Sequence, residues 1–202
     1  MAGEFAIHLR GGGCGMSQFE FLFSLFGLLL GLSLAEIFGG FARTVQARRK
    51  IRLGWLTPLL GLLVAVDLIS FWSQAWAERE ALAVSFNLMV FITLLSGIYY
   101  VAASLVFPHT HDEWPDLDDY FMKHKAIVAG CVLGVNLLVI GAEAVQHGNP
   151  WRTPALVVGN LLFVGTAAGI ILARSKWLSG VMLGVMLSLY WVSWVILGWL
   201  GL

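Results

Sequence analysis

The chain has 202 residues, of which 59% are hydrophobic and 12% charged, and its mean hydropathy is +0.84. Soluble domains carry about 45–50% apolar and about 25% charged residues and need a largely polar surface to stay dispersed. A soluble enzyme, a nucleic-acid-binding domain and a disordered regulator are therefore excluded as classes. Twelve Lys and Arg balance twelve Asp and Glu, so information about partners must come from where the charges stand. The expectation is an all-α polytopic integral membrane protein with the lipid bilayer as its first partner.

Residues 1–15 do not conform to the rest: they lack a long apolar run and end in a glycine-rich GGGCG cluster. Met16 and Ser17 make a natural start, so 1–15 reads as a tag or an over-long start, and 16–202 as one membrane domain. Crossing a bilayer core takes about 20 residues, and six apolar runs meet that length, at about 18–41, 54–77, 81–107, 126–145, 153–173 and 177–200. The runs are continuously apolar and do not alternate, which predicts helices, since only helices and closed barrels can satisfy their backbone in lipid. The fold expected is a six-helix transmembrane bundle.

The short loops set its orientation. Arg43, Arg48, Arg49, Lys50 and Arg52 follow the first run, Lys123 and Lys125 the third, and Arg174 and Lys176 the fifth. The other side holds Arg10, Arg79 and Arg152. The bias places those three loops in the cytoplasm and both termini outside it, as in a multi-pass protein of the bacterial inner membrane. Cys14 and Cys131 then fall in different compartments, so no bridge between them is expected. The loop 108–125 reads as a short amphipathic helix beginning at Pro115, with Trp114, Leu117, Tyr120 and Phe121 laid on the membrane surface.

Small residues recur every four positions: Gly27, Gly31, Ala35 and Gly39, then Gly130 and Gly134, Gly165 and Gly169, Gly180 and Gly184. Such seams pack helices closely in lipid, within the bundle, against a second copy or against another membrane subunit. GLLLGLSL (27–34) and GCVLGVNL (130–137) open the first and fourth runs, which suggests an inverted repeat of three helices.

Three carboxylates fall inside spans: Glu36, Asp67 and Glu143. A charge at mid-bilayer costs at least about 2.5–3.5 kcal/mol, so each must be paired, protonated or wet. Glu36 has Arg43 two turns on. Asp67 is the deepest, and Thr93, Ser96, Asn136, Asn160 and Tyr190 fall near its level on the other runs. Asp67, Ser70, Gln74 and Glu78 form a stripe toward the outer surface, and Thr93, Ser96, Tyr100 and Ser104 a second one running inward. Two readings remain open. One is a transporter or channel for a cation, a proton or a small polar solute, centred on Asp67. The other is a non-catalytic scaffold or accessory subunit in which these polar groups tie helices together.

His109, His111, Asp112 and Glu113 are candidate metal ligands by type, or a solvated loop. No histidine lies deep in a span to ligate haem, and no span holds a lysine for a Schiff base. There is no P-loop, HExxH, CxxC or served GxSxG motif. The sequence indicates no cofactor and no nucleic acid, and leans away from an enzyme. A lipid- or quinone-directed enzyme built on Glu36 and the His109 loop would lack a visible nucleophile and base.

Overall fold

A computed structural model describes residues 18–79, 85–110, 114–147 and 154–200. Among these the chain forms six α-helices: α1 Gln18–Gln46, α2 Leu56–Ala77, α3 Phe86–Val106, α4 Leu117–His147, α5 Pro154–Leu172 and α6 Lys176–Leu200. No strand is present among the described residues; a single parallel bridge joins Arg52 to Asp116. Five helices, α1 to α4 and α6, are long and apolar enough to cross a membrane, while the apolar stretch of α5, Val157–Leu172, is shorter.

α2 is the hub, packing against α1, α3, α4 and α6. Its buried residues Leu60, Leu63, Val64, Asp67 and Leu68 stand at i, i+3, i+4, i+7 and i+8, a stripe that Gly61 and Ala65 widen, while Leu62 and Ile69 on the opposite face are exposed. A broad apolar stripe of this spacing faces a core. α5, its counterpart in a three-helix repeat, packs chiefly on α4 and α6. The two halves therefore do not repeat each other's packing, and the likeness of 27–34 to 130–137 reflects residues common to apolar helices.

Every helix also exposes large apolar side chains, among them Leu28, Leu62, Leu94, Leu138, Leu161 and Trp191. Their spread round the bundle far exceeds the scattered exposure of a soluble protein.

Glycine does local work where helices meet. Phe107, just past α3, is buried between Gly40 of α1 and Gly61 of α2, where added Cβ atoms would stand 2.8 and 3.1 Å from it. Of the predicted glycine seams, Gly27 meets Trp72, Gly169 meets Met182 and Gly180 meets Leu56, whereas Gly31, Gly130, Gly134, Gly165 and Gly184 face open space. The seams therefore serve packing within the chain only in part.

The connections after α1, α3 and α5 gather at one end, called here the basic end. Arg52 and the segment before α4 exchange backbone bonds, Arg52 N to Pro115 O at 2.8 Å and Leu117 N to Arg52 O at 3.2 Å. Asp118 Oδ1 accepts the Leu56 amide at the start of α2, and Thr57 donates to Leu117 O. Lys176 of α6 pairs with Asp119 at 2.7 Å and Asp116 at 3.5 Å.

This end corrects the surface-helix expectation. There is no separate helix at 115–125: Asp116 caps the start of α4 by accepting the Asp118 amide at 2.8 Å, and α4 runs unbroken for 31 residues. Leu117, Tyr120 and Phe121 are buried in the protein. The apolar spacing was real, but it marks a face packed against α2 and α3, not one lying on a surface. Lys125 moves with it. The expected loop residue is buried, donating to Ala173 O at the end of α5 and to Ser179 of α6 at 2.8 Å. A cation at a helix C-terminus interacts favourably with the carbonyls there.

Candidate functional site

Asp67 sits midway along α2 and is 2% exposed. Three helices reach it. Tyr99 Oη of α3 donates to Oδ2 at 2.8 Å, Asn136 Nδ2 of α4 donates to Oδ1 at 3.1 Å, and Tyr190 Oη of α6 donates to Oδ1 at 2.5 Å. None of the partners carries a charge. The Asn136 amide also donates to Val132 O one turn back, at 2.9 Å, which fixes its rotamer.

Aromatic packing fixes the two phenols. Phe71 lies against Tyr99 at 5.6 Å between ring centroids and against Phe26 of α1 at 5.3 Å. Phe163 of α5 meets the Tyr190 ring edge-on at 6.3 Å. Such edge and offset contacts hold ring orientation as well as burying area.

A cavity of about 30 Å³ adjoins this cluster. α2 lines it with Asp67, Ser70, Phe71 and Gln74, α3 with Tyr99, α4 with Val135, Asn136 and Val139, and α6 with Tyr190. Asp67 is buried, Ser70 half-buried and Gln74 exposed. Polarity and exposure thus rise together along one face of α2, from the carboxylate toward the end of the bundle opposite the basic one.

Toward the basic end the surroundings are apolar. The buried α2 residues between Thr57 and Asp67 are Leu60, Gly61, Leu63, Val64 and Ala65. Ala102, Ala103 and Val106 of α3 and Val128 and Val132 of α4 are likewise buried. The inward stripe expected on α3 does not form a polar route. Thr93, Ser96 and Ser104 donate to carbonyls of their own helix, those of Met89, Ile92 and Val101, and Tyr100 is exposed on the outside of the bundle.

Of the residues expected in one layer, the structure brings Asn136 and Tyr190 to Asp67. α3 contributes Tyr99 in place of Thr93, which is exposed, or Ser96, which is buried but bonded to its own helix. Asn160 of α5 is half-buried and is not among the groups bonded to Asp67. Glu36 pairs with Arg43 at 2.9 Å, as its position two turns earlier suggested. Glu143 is exposed. His109 is exposed, while His111, Asp112 and Glu113 lie outside the described residues. Among the described residues no three His, Cys, Asp or Glu side chains cluster as a metal site requires.

The sequence reading missed Tyr99. The polar face expected on α3 was 93, 96, 100 and 104; of these only Ser96 is buried, and it shares the buried face with Tyr99, three positions on. From that face the phenol reaches the carboxylate on α2. Reading Ser96 and Tyr99 together as an i, i+3 pair would have found it.

The fold and the site together define a class: an all-helical bundle with five apolar helices of membrane-crossing length and a carboxylate buried among uncharged donors beside a small polar cavity. No family model, no curated protein and no solved structure matches the chain.

Proposed function

We propose that the chain is a multi-pass protein of the bacterial inner membrane and a small transporter for a cation, a proton or a small polar solute, with Asp67 as its binding group. The apolar exposed surface suits lipid. The basic end then faces the cytoplasm by the rule that Lys and Arg loops stay inside, with both termini on the other side.

One observation carries the reading. Asp67 is a carboxylate in the interior of an apolar bundle, with no cation as partner, beside a small polar cavity whose α2 lining runs from Asp67 through Ser70 to the exposed Gln74. Intramembrane carboxylates are costly and mark ion or proton sites. The apolar packing on the cytoplasmic side of Asp67 favours a carrier, which exposes its site to one side at a time, over an open channel.

A second reading has its own support. Tyr99, Asn136 and Tyr190 tie four helices through one carboxylate, which is what a rigid scaffold or accessory subunit needs, and five seam glycines face open space. Flux into proteoliposomes separates the two. The transporter reading expects uptake of a proton or small cation that Asp67→Asn abolishes in a folded protein. Asp67→Asn flux equal to the parent removes Asp67 from the route, and no flux from a protein that holds a fixed partner subunit in mild detergent supports the scaffold.

A further inference from the structure

We infer that the species taken up at Asp67 is a proton, delivered by water in the cavity beside Ser70 and Gln74. The inference rests on the transporter reading and narrows it to one species.

Size decides against a solute. A water needs about 10–15 Å³ of cavity, so about 30 Å³ holds one or two waters and no molecule of several heavy atoms. Donor chemistry disfavours a metal ion. Hard cations are held by oxygen lone pairs, and three of the roughly four lone-pair sites of the Asp67 carboxylate already accept, from Tyr99, Asn136 and Tyr190.

A proton fits without rebuilding the cluster. A hydronium in the cavity gives one proton to Asp67: its O–H bond breaks, an O–H bond forms on the carboxylate, and a neutral carboxylic acid and a water remain. The new O–H needs an acceptor. Tyr190 Oη, 2.5 Å from Oδ1, can supply one, because a phenol both donates and accepts. Its own proton then turns to the cavity water. The Asn136 Nδ2 group only donates, so the reversible partner is a phenol, Tyr190 on Oδ1 or Tyr99 on Oδ2. Both protonation states thus keep their hydrogen bonds.

No other strongly ionising group faces Asp67 within the lining. α3 presents Tyr99, α6 Tyr190 and α4 Asn136, while α1 lines none of the cavity. The charged groups of α1 include Glu36, bonded to Arg43, and Glu20. Glu78 and Glu143 are exposed toward the end opposite the basic one, with Arg79 beside Trp76.

Infrared difference spectra of the full chain in lipid nanodiscs, between two bath pH values, test this. We expect a carboxylic-acid carbonyl band that appears on acidification, shifts in heavy water and is lost in Asp67→Asn. In Tyr190→Phe the band should persist at a changed frequency, a readout that does not depend on Asp67→Asn folding. Ser70→Leu, which fills the cavity, should slow its deuterium exchange several-fold. Sodium or potassium added at constant pH should change nothing. Carboxylate bands that follow sodium or potassium at constant pH, with no acid band, overturn the proton and leave the transporter reading standing. Silence toward both pH and cations, in a parent protein that is folded, overturns the proton and any small cation at Asp67, and absence of proteoliposome flux as well overturns the transporter reading.

Discussion

Tyr190 Oη stands 2.5 Å from Asp67 Oδ1 although the two residues are 123 positions apart in the chain. The contact joins the hub helix α2 to the last helix, α6, and sets the position of the one carboxylate buried among the described residues. Removing the hydroxyl leaves a buried acceptor short of a donor, at a cost of about 1–3 kcal/mol. Tyr190→Phe and Tyr99→Phe should each lower stability by that amount, measured by unfolding in mixed detergent and SDS. Combining either with Asp67→Asn should be non-additive, because the groups form one network. Additive losses would mean that the three side chains do not act together.

Gly54 and Asp118 make a similar relationship at the basic end. A Cβ on Gly54 would stand 1.8 Å from Asp118 Oδ1, the atom that accepts the Leu56 amide. Gly54→Ala must displace that carboxylate and strip the start of α2 of its acceptor, costing about 1–3 kcal/mol as overpacking. Adding Asp118→Ala should not deepen the loss, since the clash and the bond vanish together. A double variant with both losses summed would contradict this.

The Phe107 wedge predicts a size rule. Gly40→Ala brings a methyl within 2.8 Å of Phe107 and should lower the unfolding midpoint, and Phe107→Leu in the same chain should recover part of it. Phe107→Leu alone should destabilise, because the side chain is buried and its loss opens space in a packed core.

Lys125 predicts a buried cation that supports the meeting of α5 and α6. Lys125→Met keeps the length and removes both hydrogen bonds, to Ala173 O and Ser179 Oγ. Bonds to charged groups contribute about 1.5–3 kcal/mol. The variant should lose stability by that order while Lys123→Met, at an exposed neighbour over the Trp114 ring, changes little. Equal effects would place Lys125 in solvent.

Much of the fold was legible because apolar length and loop charge are sequence properties. The six runs correspond to the six helices, and the basic loops do gather at one end. The start of α4 was misread because burial by protein and burial in a membrane surface demand the same apolar spacing. Leu117 and Phe121 look alike in sequence whether they face lipid or α2. Asp67 was legible as an anomaly, a carboxylate in an apolar run. Its partners were legible in part: Asn136 and Tyr190 share its depth, but depth does not fix rotation about a helix axis, so Thr93 and Asn160 qualified equally by depth and Tyr99 did not.

If Asp67 works as proposed, its cavity is wet and reached from the non-cytoplasmic end alone. Thiol accessibility distinguishes a wet cavity from a dry one. In a background carrying Cys14→Ser and Cys131→Ser, single cysteines are placed by Ser70→Cys and Val64→Cys and treated from each side of the membrane with silver ion, a thiol reagent small enough for a cavity of about 30 Å³. The account predicts that Ser70→Cys reacts from the non-cytoplasmic side only and that Val64→Cys, buried in the apolar packing, reacts from neither. A folded Ser70→Cys protein that stays silent, or labelling of Val64→Cys from the cytoplasm, would contradict it.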